Sequence, residues 1–138
     1  MESRRRFSQR IVVIESDIDS LRHVNNTVYL RYIEDCVTAH AESVGMGLER
    51  LRQLGVIPVV HRHTITYHRS AVLGEELEVV TEIVSFRGFR ATRHNTIMRE
   101  GVLLVECETH WVWIDPLRQR PKAVPNEIQV AFGLEPAS

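Results

Sequence analysis

The sequence holds only two cysteines, Cys36 and Cys107, far apart and at no spacing used by metal or redox motifs. A disulfide framework is therefore excluded, and both read as reduced, buried thiols of an intracellular protein. Excess charge is also missing. Seventeen Lys and Arg face 18 Asp and Glu, a formal net charge of −1, which removes any general pull toward nucleic acid or an acidic membrane. A small molecule or another protein is the partner that remains. Lysine is almost absent, with Lys122 alone against sixteen arginines; arginine suits bidentate phosphate recognition, and genome composition accounts for the same bias. Long apolar runs are missing too. The basic stretch MESRRRFSQR is followed by only four apolar residues, Ile11 to Ile14, too few for a signal h-region or a membrane span. The expected location is the cytoplasm. No G-x-S-x-G, P-loop or dinucleotide fingerprint occurs, so serine hydrolase, nucleotide hydrolase and dehydrogenase chemistry lack support.

What is present is a chain of 138 residues with 43% hydrophobic content, which suits one domain over residues 1–138 with one sizeable core. Ile11 to Ile14 read as a first strand buried on both faces. From Tyr29, apolar positions recur at spacings of three and four through Tyr32, Ile33, Cys36, Val37, His40, Ala41 and Val44, the stripe of a helix lying on an apolar surface. Asn25 or Asn26 is its natural N-cap, and Gly45 and Gly47 are natural stops. Residues 47–55 add one or two further helical turns. After Pro58 the period becomes two, with Val59, His61, His63, Ile65 and Tyr67 on one face. Three more strands follow with short turns at Gly74, Arg87-Gly88 and Gly101: Leu77 to Phe86, Phe89 to Glu100, and Val102 to Asp115. Residues 115–122 form a proline-punctuated loop, and Pro125 to Phe132 a closing helix.

This order predicts an α+β domain, one long helix with an antiparallel meander of four consecutive strands after it. About eighteen residues at 1.5 Å each give a helix of roughly 27 Å. A sheet covered on one face and open at two edges predicts pairing with a second copy.

Between the first strand and the helix lies a crowded polar stretch, Asp17-Ile-Asp19-Ser-Leu-Arg-His23-Val24-Asn25-Asn26-Thr27-Val-Tyr29, followed by Tyr32-Ile33-Glu34. It resembles the D-x-D-x-x-x-H-V-N-N-x-x-Y motif of hotdog-fold acyl-CoA thioesterases of the 4-hydroxybenzoyl-CoA thioesterase type, including their long-chain acyl-CoA branch. The resemblance continues through Ile65-Thr-Tyr67-His-Arg69 and through Trp113-Ile-Asp115, Arg120-Pro121 and Val124-Pro125. It implies a five-stranded antiparallel sheet wrapped around the long central helix, pairing into a ten-stranded dimer that can assemble as a dimer of dimers. It also implies hydrolysis of a fatty acyl- or aryl-CoA to free acid and coenzyme A, with Asp19 as the catalytic carboxylate and no metal or redox cofactor. The chain departs from relatives of this type at Leu21, where plant acyl-carrier-protein thioesterases carry Asn. It departs again at Val37, where the long-chain branch often carries a basic residue, and at Ser70, where that branch favours Pro. These departures bear on substrate range.

The chemistry fits the motif. Thioester hydrolysis needs a group that activates water or attacks the carbonyl, and donors where oxyanion charge develops. A carboxylate just ahead of a helix, with free first-turn N–H groups near Asn26 and Thr27, supplies both. Asp17, Asn25 and Asn26 have a structural alternative, satisfying loop amides and capping the helix. His23 orients Asp19, contacts substrate, or fixes the loop through backbone hydrogen bonds; paired with a carboxylate as an acid–base group it would suit a hydratase or dehydratase. Glu34, inside the helix, is the second candidate base. Tyr29, Ile33, Val59 and Ile65 are candidates for an acyl slot between helix and sheet. Arg62, Arg69, Arg87, Arg90 and Arg93 are candidates for the phosphates of coenzyme A, with a solvated strand edge as their alternative. His61 and His63 have a zinc-compatible spacing but no third ligand, so no metal site is expected. The alternative function is a non-catalytic module of the same fold that binds acyl-CoA or an acyl-carrier protein.

Overall fold

A computed structural model describes residues 4–135. The elements are β1 (Arg6–Val12), α1 (Asn26–Ser43), α2 (Leu48–Gln53), β2 (Ile57–Tyr67), β3 (Glu76–Arg87), β4 (Arg90–Arg99), β5 (Val102–Asp115), β6 (Arg120–Pro121) and α3 (Asn126–Ala131), with one 3-10 turn at Glu15–Asp17.

Helix α1 starts and ends where side-chain chemistry dictates. Asn25 stands outside the helix and its Oδ1 accepts from the Thr27 N–H at 3.0 Å, the N-cap bond that short polar side chains supply. At the far end Met46 N donates to Ala41 O and Gly45 N to Glu42 O, with Gly45 at φ 78. This is the paired closure that a left-handed residue after the last turn permits. The face between carries Tyr29, Tyr32, Ile33, Cys36 and His40, all buried.

The five long strands pair antiparallel in the order β1-β3-β4-β5-β2, with β6 joined to β5. The sheet curls around α1 as the hotdog resemblance implies. Two sequence expectations change. The strands are no simple meander, because β2 pairs with β5 at the far edge and not with its successor β3. The connection after Tyr67 crosses from one edge to the other beneath the start of α1. On the way His68 N and Arg69 N bond to Leu104 O, and Ala71 N donates to the Tyr29 hydroxyl at 2.9 Å. Strand β1 also runs earlier than Ile11 to Ile14 and is packed on one face only. Its exposure alternates, Val12 and Ile14 are open to solvent, and only Val13 of that stretch is fully buried. An edge strand with one neighbour needs one apolar face, and the short apolar run concealed that alternation.

Two apolar clusters fill the interior. One lies under the first half of α1 around Tyr29, Tyr32, Ile33, Leu77, Val79, Ile97, Leu104 and Val105. The other gathers Met46, Leu51, Val56, Ile83, Trp113, Ile128 and Phe132 between the sheet, α2 and α3. Both cysteines are free and buried, and burial pushes the Cys36 thiol up to about 11, leaving it an unreactive thiol at neutral pH.

Candidate active site

The polar stretch folds as a small hairpin welded to the helix. Ile18 and Val24 form an antiparallel bridge. Asp19 N donates to His23 O at 3.0 Å and Arg22 N to Asp19 O at 3.0 Å, with Arg22 at φ 63, the turn-plus-left-handed pattern of a three-residue hairpin loop. Asp19 is half-buried, and its Oδ1 accepts from Leu21 N at 2.9 Å. Its Oδ2 meets no donor among the described residues, so one carboxylate oxygen is held and the other is left to a water or substrate.

Asp17 has the opposite environment. It is 2% exposed and accepts from the Tyr32 hydroxyl at 2.7 Å, from Ile14 N at 3.3 Å and from the Arg31 guanidinium. Burial works against its ionisation, but these three donors outweigh it and hold the carboxyl below the usual carboxylate range. Its carbonyl accepts from Asn25 N at 2.9 Å. Asp17 therefore ties the 3-10 turn to α1 and sets the position of Asp19, the structural role that was one of its two sequence readings. Sequence spacing did not reveal Arg31 and Tyr32 as its partners, because they lie a full loop and two helical turns away.

At the helix mouth the structure separates groups that the sequence placed together. The Thr27 N–H and hydroxyl both donate to Asn25 Oδ1, at 3.0 and 2.9 Å, so Thr27 is committed to the cap and leaves the expected oxyanion pair. The Asn26 N–H has no acceptor among the described residues, sits at the positive end of the α1 dipole, and is exposed. The Asn26 carbonyl accepts from the Tyr67 hydroxyl at 3.1 Å, which pins the end of β2 beside this mouth. His23 fixes the loop through its carbonyl; its ring is exposed and makes no hydrogen bond among the described residues. Glu34 is exposed on α1.

Two residues expected to line an acyl slot, Tyr29 and Ile33, face the interior between helix and sheet. Both are in the packed core at 2% and 1% exposure, and the Tyr29 hydroxyl is taken by Ala71. Val59 is exposed on edge strand β2 and Ile65 half-buried. A bulge between Val60 and Arg62 shifts the register, so Val59 opposes Val112 while His63 opposes Thr109, and the two lie on opposite faces. The same bulge separates His61 from His63. His61 joins Arg62, Arg87, Arg90 and His110 around a shallow hollow, in which the three arginines are solvent-facing cations. Arg69 is exposed on the crossing segment.

Arg93 does not belong with these surface arginines. It is 6% exposed, and its Nη1 donates to His40 Nδ1 at 2.9 Å and to Thr81 Oγ1 at 3.0 Å. It cannot meet a phosphate outside the sheet. On β4 it shares a face with buried Ala91, Asn95 and Ile97, a parity the sequence carried but the mixed polarity obscured. A polar band continues from it: Thr81 donates to Asn95 Oδ1 at 2.7 Å, Asn95 Nδ2 to Thr109 Oγ1 at 3.1 Å, and Thr109 pairs with His63 Nδ1 at 2.9 Å. Burial, and then the nearby Arg93 charge, push His40 down to about 4 against the 2.6 Å bond from Nε2 to Arg4 O. With Nε2–H donating, Nδ1 is the acceptor that Arg93 requires. The His40 ring is expected to remain neutral from pH 8 to pH 5.5, read as a Cε1–H resonance that does not move in a proton NMR titration. A midpoint above 6 would break this tautomer assignment.

Beside Arg93 opens a narrow cleft of about 50 Å³. Val37, Pro58 and Trp111 are half-exposed at its rim; Arg93, Trp113 and Phe132 form its buried floor.

The sequence from residue 13 to residue 132 matches the family model described as the thioesterase-like superfamily. The chain is 31% identical over 127 residues to the acyl-CoA thioester hydrolase YbgC of Escherichia coli, covering 91% of this chain and 95% of that protein. Its fold superposes on a hypothetical protein of Thermus thermophilus with a TM-score of 0.83 and 27% identity over 91% of this chain and 96% of that one. A 1,4-dihydroxy-2-naphthoyl-CoA thioesterase from Synechocystis gives a TM-score of 0.84 at 20% identity, over 92% and 95% of the two chains. With the hairpin carboxylate, the capped helix mouth and the curled sheet all in place, the chain belongs to the thioesterase-like superfamily.

Proposed function

We propose that this protein hydrolyses an acyl-CoA thioester to the free acid and coenzyme A, with Asp19 as the reacting carboxylate. The observation that carries the reading is a half-buried carboxylate, one oxygen held and one open, on a hairpin that is tied to the start of α1 by the bond from Asn25 N to Asp17 O, next to the unpaired Asn26 N–H. The carboxylate activates water or attacks the carbonyl carbon, and the N–H and helix dipole face the oxygen on which charge develops. The reading needs no group beyond water and the chain's own residues. A cytoplasmic location suits this reading, since acyl-CoA is an intracellular substrate and reduced thiols are the rule there.

The site is open on a single chain. Strand β2 is an edge that exposes Val59, Val60 and Tyr67 at 38%, 39% and 40%, and an apolar unpaired edge favours addition of another strand. In this reading two copies join β2 to β2, antiparallel, and each closes the other's site. The exposed hollow at Arg62, Arg87 and Arg90 then serves the phosphates of coenzyme A. Thiol release, followed with a chromogenic thiol reagent over short, medium, long and aromatic acyl-CoAs, is expected to give turnover on part of the panel, with sedimentation showing a dimer. Acyl-CoA binding without thiol release would replace the hydrolase with a binding module.

A further inference from the structure

The cleft beside Arg93 is lined by a buried cation and, among the described residues, by no acidic side chain to receive it. The indole Nε1 atoms of Trp111 and Trp113 are buried without a partner among the described residues. The Arg93 guanidinium lies with its face over Phe132, at 5.5 Å from the ring centre, and spends Nη1 on His40 and Thr81. Its Nε and Nη2 find no acceptor among the described residues, and no carboxylate lines the cleft. Burial lowers Arg93 to about 10, which leaves it charged at neutral pH. A buried cation with no counter-charge destabilises a fold, so the free edge of Arg93 at this cleft needs an acceptor, and the two covered indole N–H groups belong to residues that line the same cleft. A carboxylate is the group whose two oxygens match a guanidinium edge, and the apolar rim at Val37 and Pro58 suits the methylenes or ring that carry it.

The position of the cleft assigns the carrier. The Tyr67 end of β2 is bonded to the helix mouth and the Pro58 end borders the cleft. Antiparallel pairing of two β2 strands lays the mouth of one copy beside the cleft of the other. Resting on the dimeric hydrolase reading above, we infer that the Arg93, Trp111 and Trp113 cleft binds a carboxylate at the far end of the acyl group whose thioester lies at the partner subunit's Asp19. The favoured substrates are half-thioesters of dicarboxylic acids.

The test compares adipoyl-CoA with hexanoyl-CoA, and suberoyl-CoA with octanoyl-CoA, by thiol release. At least one carboxylate-ended member is expected to show kcat/KM about tenfold or more above its neutral mate, and Arg93→Met to abolish that preference. Equal or lower values for both carboxylate-ended substrates would overturn the proposal. Because Arg93 is buried, Trp113→Phe is measured beside it; this variant keeps an aromatic ring, removes one donor, and is expected to cut the preference several-fold while the fold persists by circular dichroism. Trp111 and Trp113 are the only tryptophans in the sequence, so their emission reads the cleft directly and without turnover. Hexanoate is expected to shift it and hexanol is not. A hexanoate response with equal turnover of each pair would mean that the cleft holds a free carboxylic acid, overturning the acyl-tail assignment. A hexanoate response with no thiol release from any acyl-CoA would refute the hydrolase and leave the carboxylate pocket standing. Thiol release with neither preference nor response would refute the pocket alone.

Discussion

Asp19→Asn is expected to reduce thiol release by about 10²–10⁴-fold, the range that a positioned general base contributes, with a melting temperature close to that of the parent. The geometry separates the two readouts. An asparagine retains Oδ1, so the 2.9 Å bond from Leu21 N and the hairpin turn survive. What changes is the second position, Oδ2, where an amide nitrogen replaces the only oxygen of the side chain that no protein donor occupies. The loss is therefore chemical and not conformational, and it belongs in kcat and kcat/KM together, as expected for a group that acts in the transition state. Asp19→Glu tests placement, since the added methylene moves the carboxylate out of the turn while keeping its charge. Full turnover in Asp19→Asn would remove Asp19 from the chemistry and leave Glu34, exposed on α1, as the carboxylate to examine.

The parts of this site that were legible in the sequence are local ones. The N-cap, the glycine stop of α1, the two-residue period of β2 to β5 and the D-x-D hairpin all depend on neighbours within a few positions, and short-range chemistry constrains them. What was hidden depended on strand order. Once β2 lies beside β5 and not β3, the crossing segment passes by the start of the helix, Tyr29 anchors Ala71, and the Pro58 end of β2 borders the same cleft as Arg93. Arg93 looked like one more surface arginine because charge in a strand usually marks the solvent face. It is buried because a neutral His40, Thr81 and the ring of Phe132 surround it, residues from three different elements.

Asp17→Ala is expected to destabilise the fold by about 2–3 kcal/mol, and so to lower the melting temperature by roughly 10 °C for a chain of this size. Alanine leaves the buried Tyr32 hydroxyl and Ile14 N without their acceptor. Arg31, whose side chain is half open to water, finds solvent instead and adds little. The pH dependence carries a sign that identifies the cause. Because the folded carboxyl titrates below its unfolded counterpart, its contribution is complete above an unfolded value of about 4 and is lost as pH falls through the lower folded value. The gap in urea midpoint between parent and Asp17→Ala should stay constant from pH 7 to pH 5 and narrow below pH 4. A gap that persists unchanged under acid would mean that the loss comes from packing and not from the charge. Its effect on turnover follows from position: Asp17→Ala removes the side-chain tie between the 3-10 turn and α1 and leaves only the backbone bond from Asn25 N to residue 17, so the hairpin that carries Asp19 is held less firmly. Asp17→Asn keeps the side chain's shape and one carbonyl acceptor, and restores turnover in proportion to how much of that tie Tyr32 alone maintains.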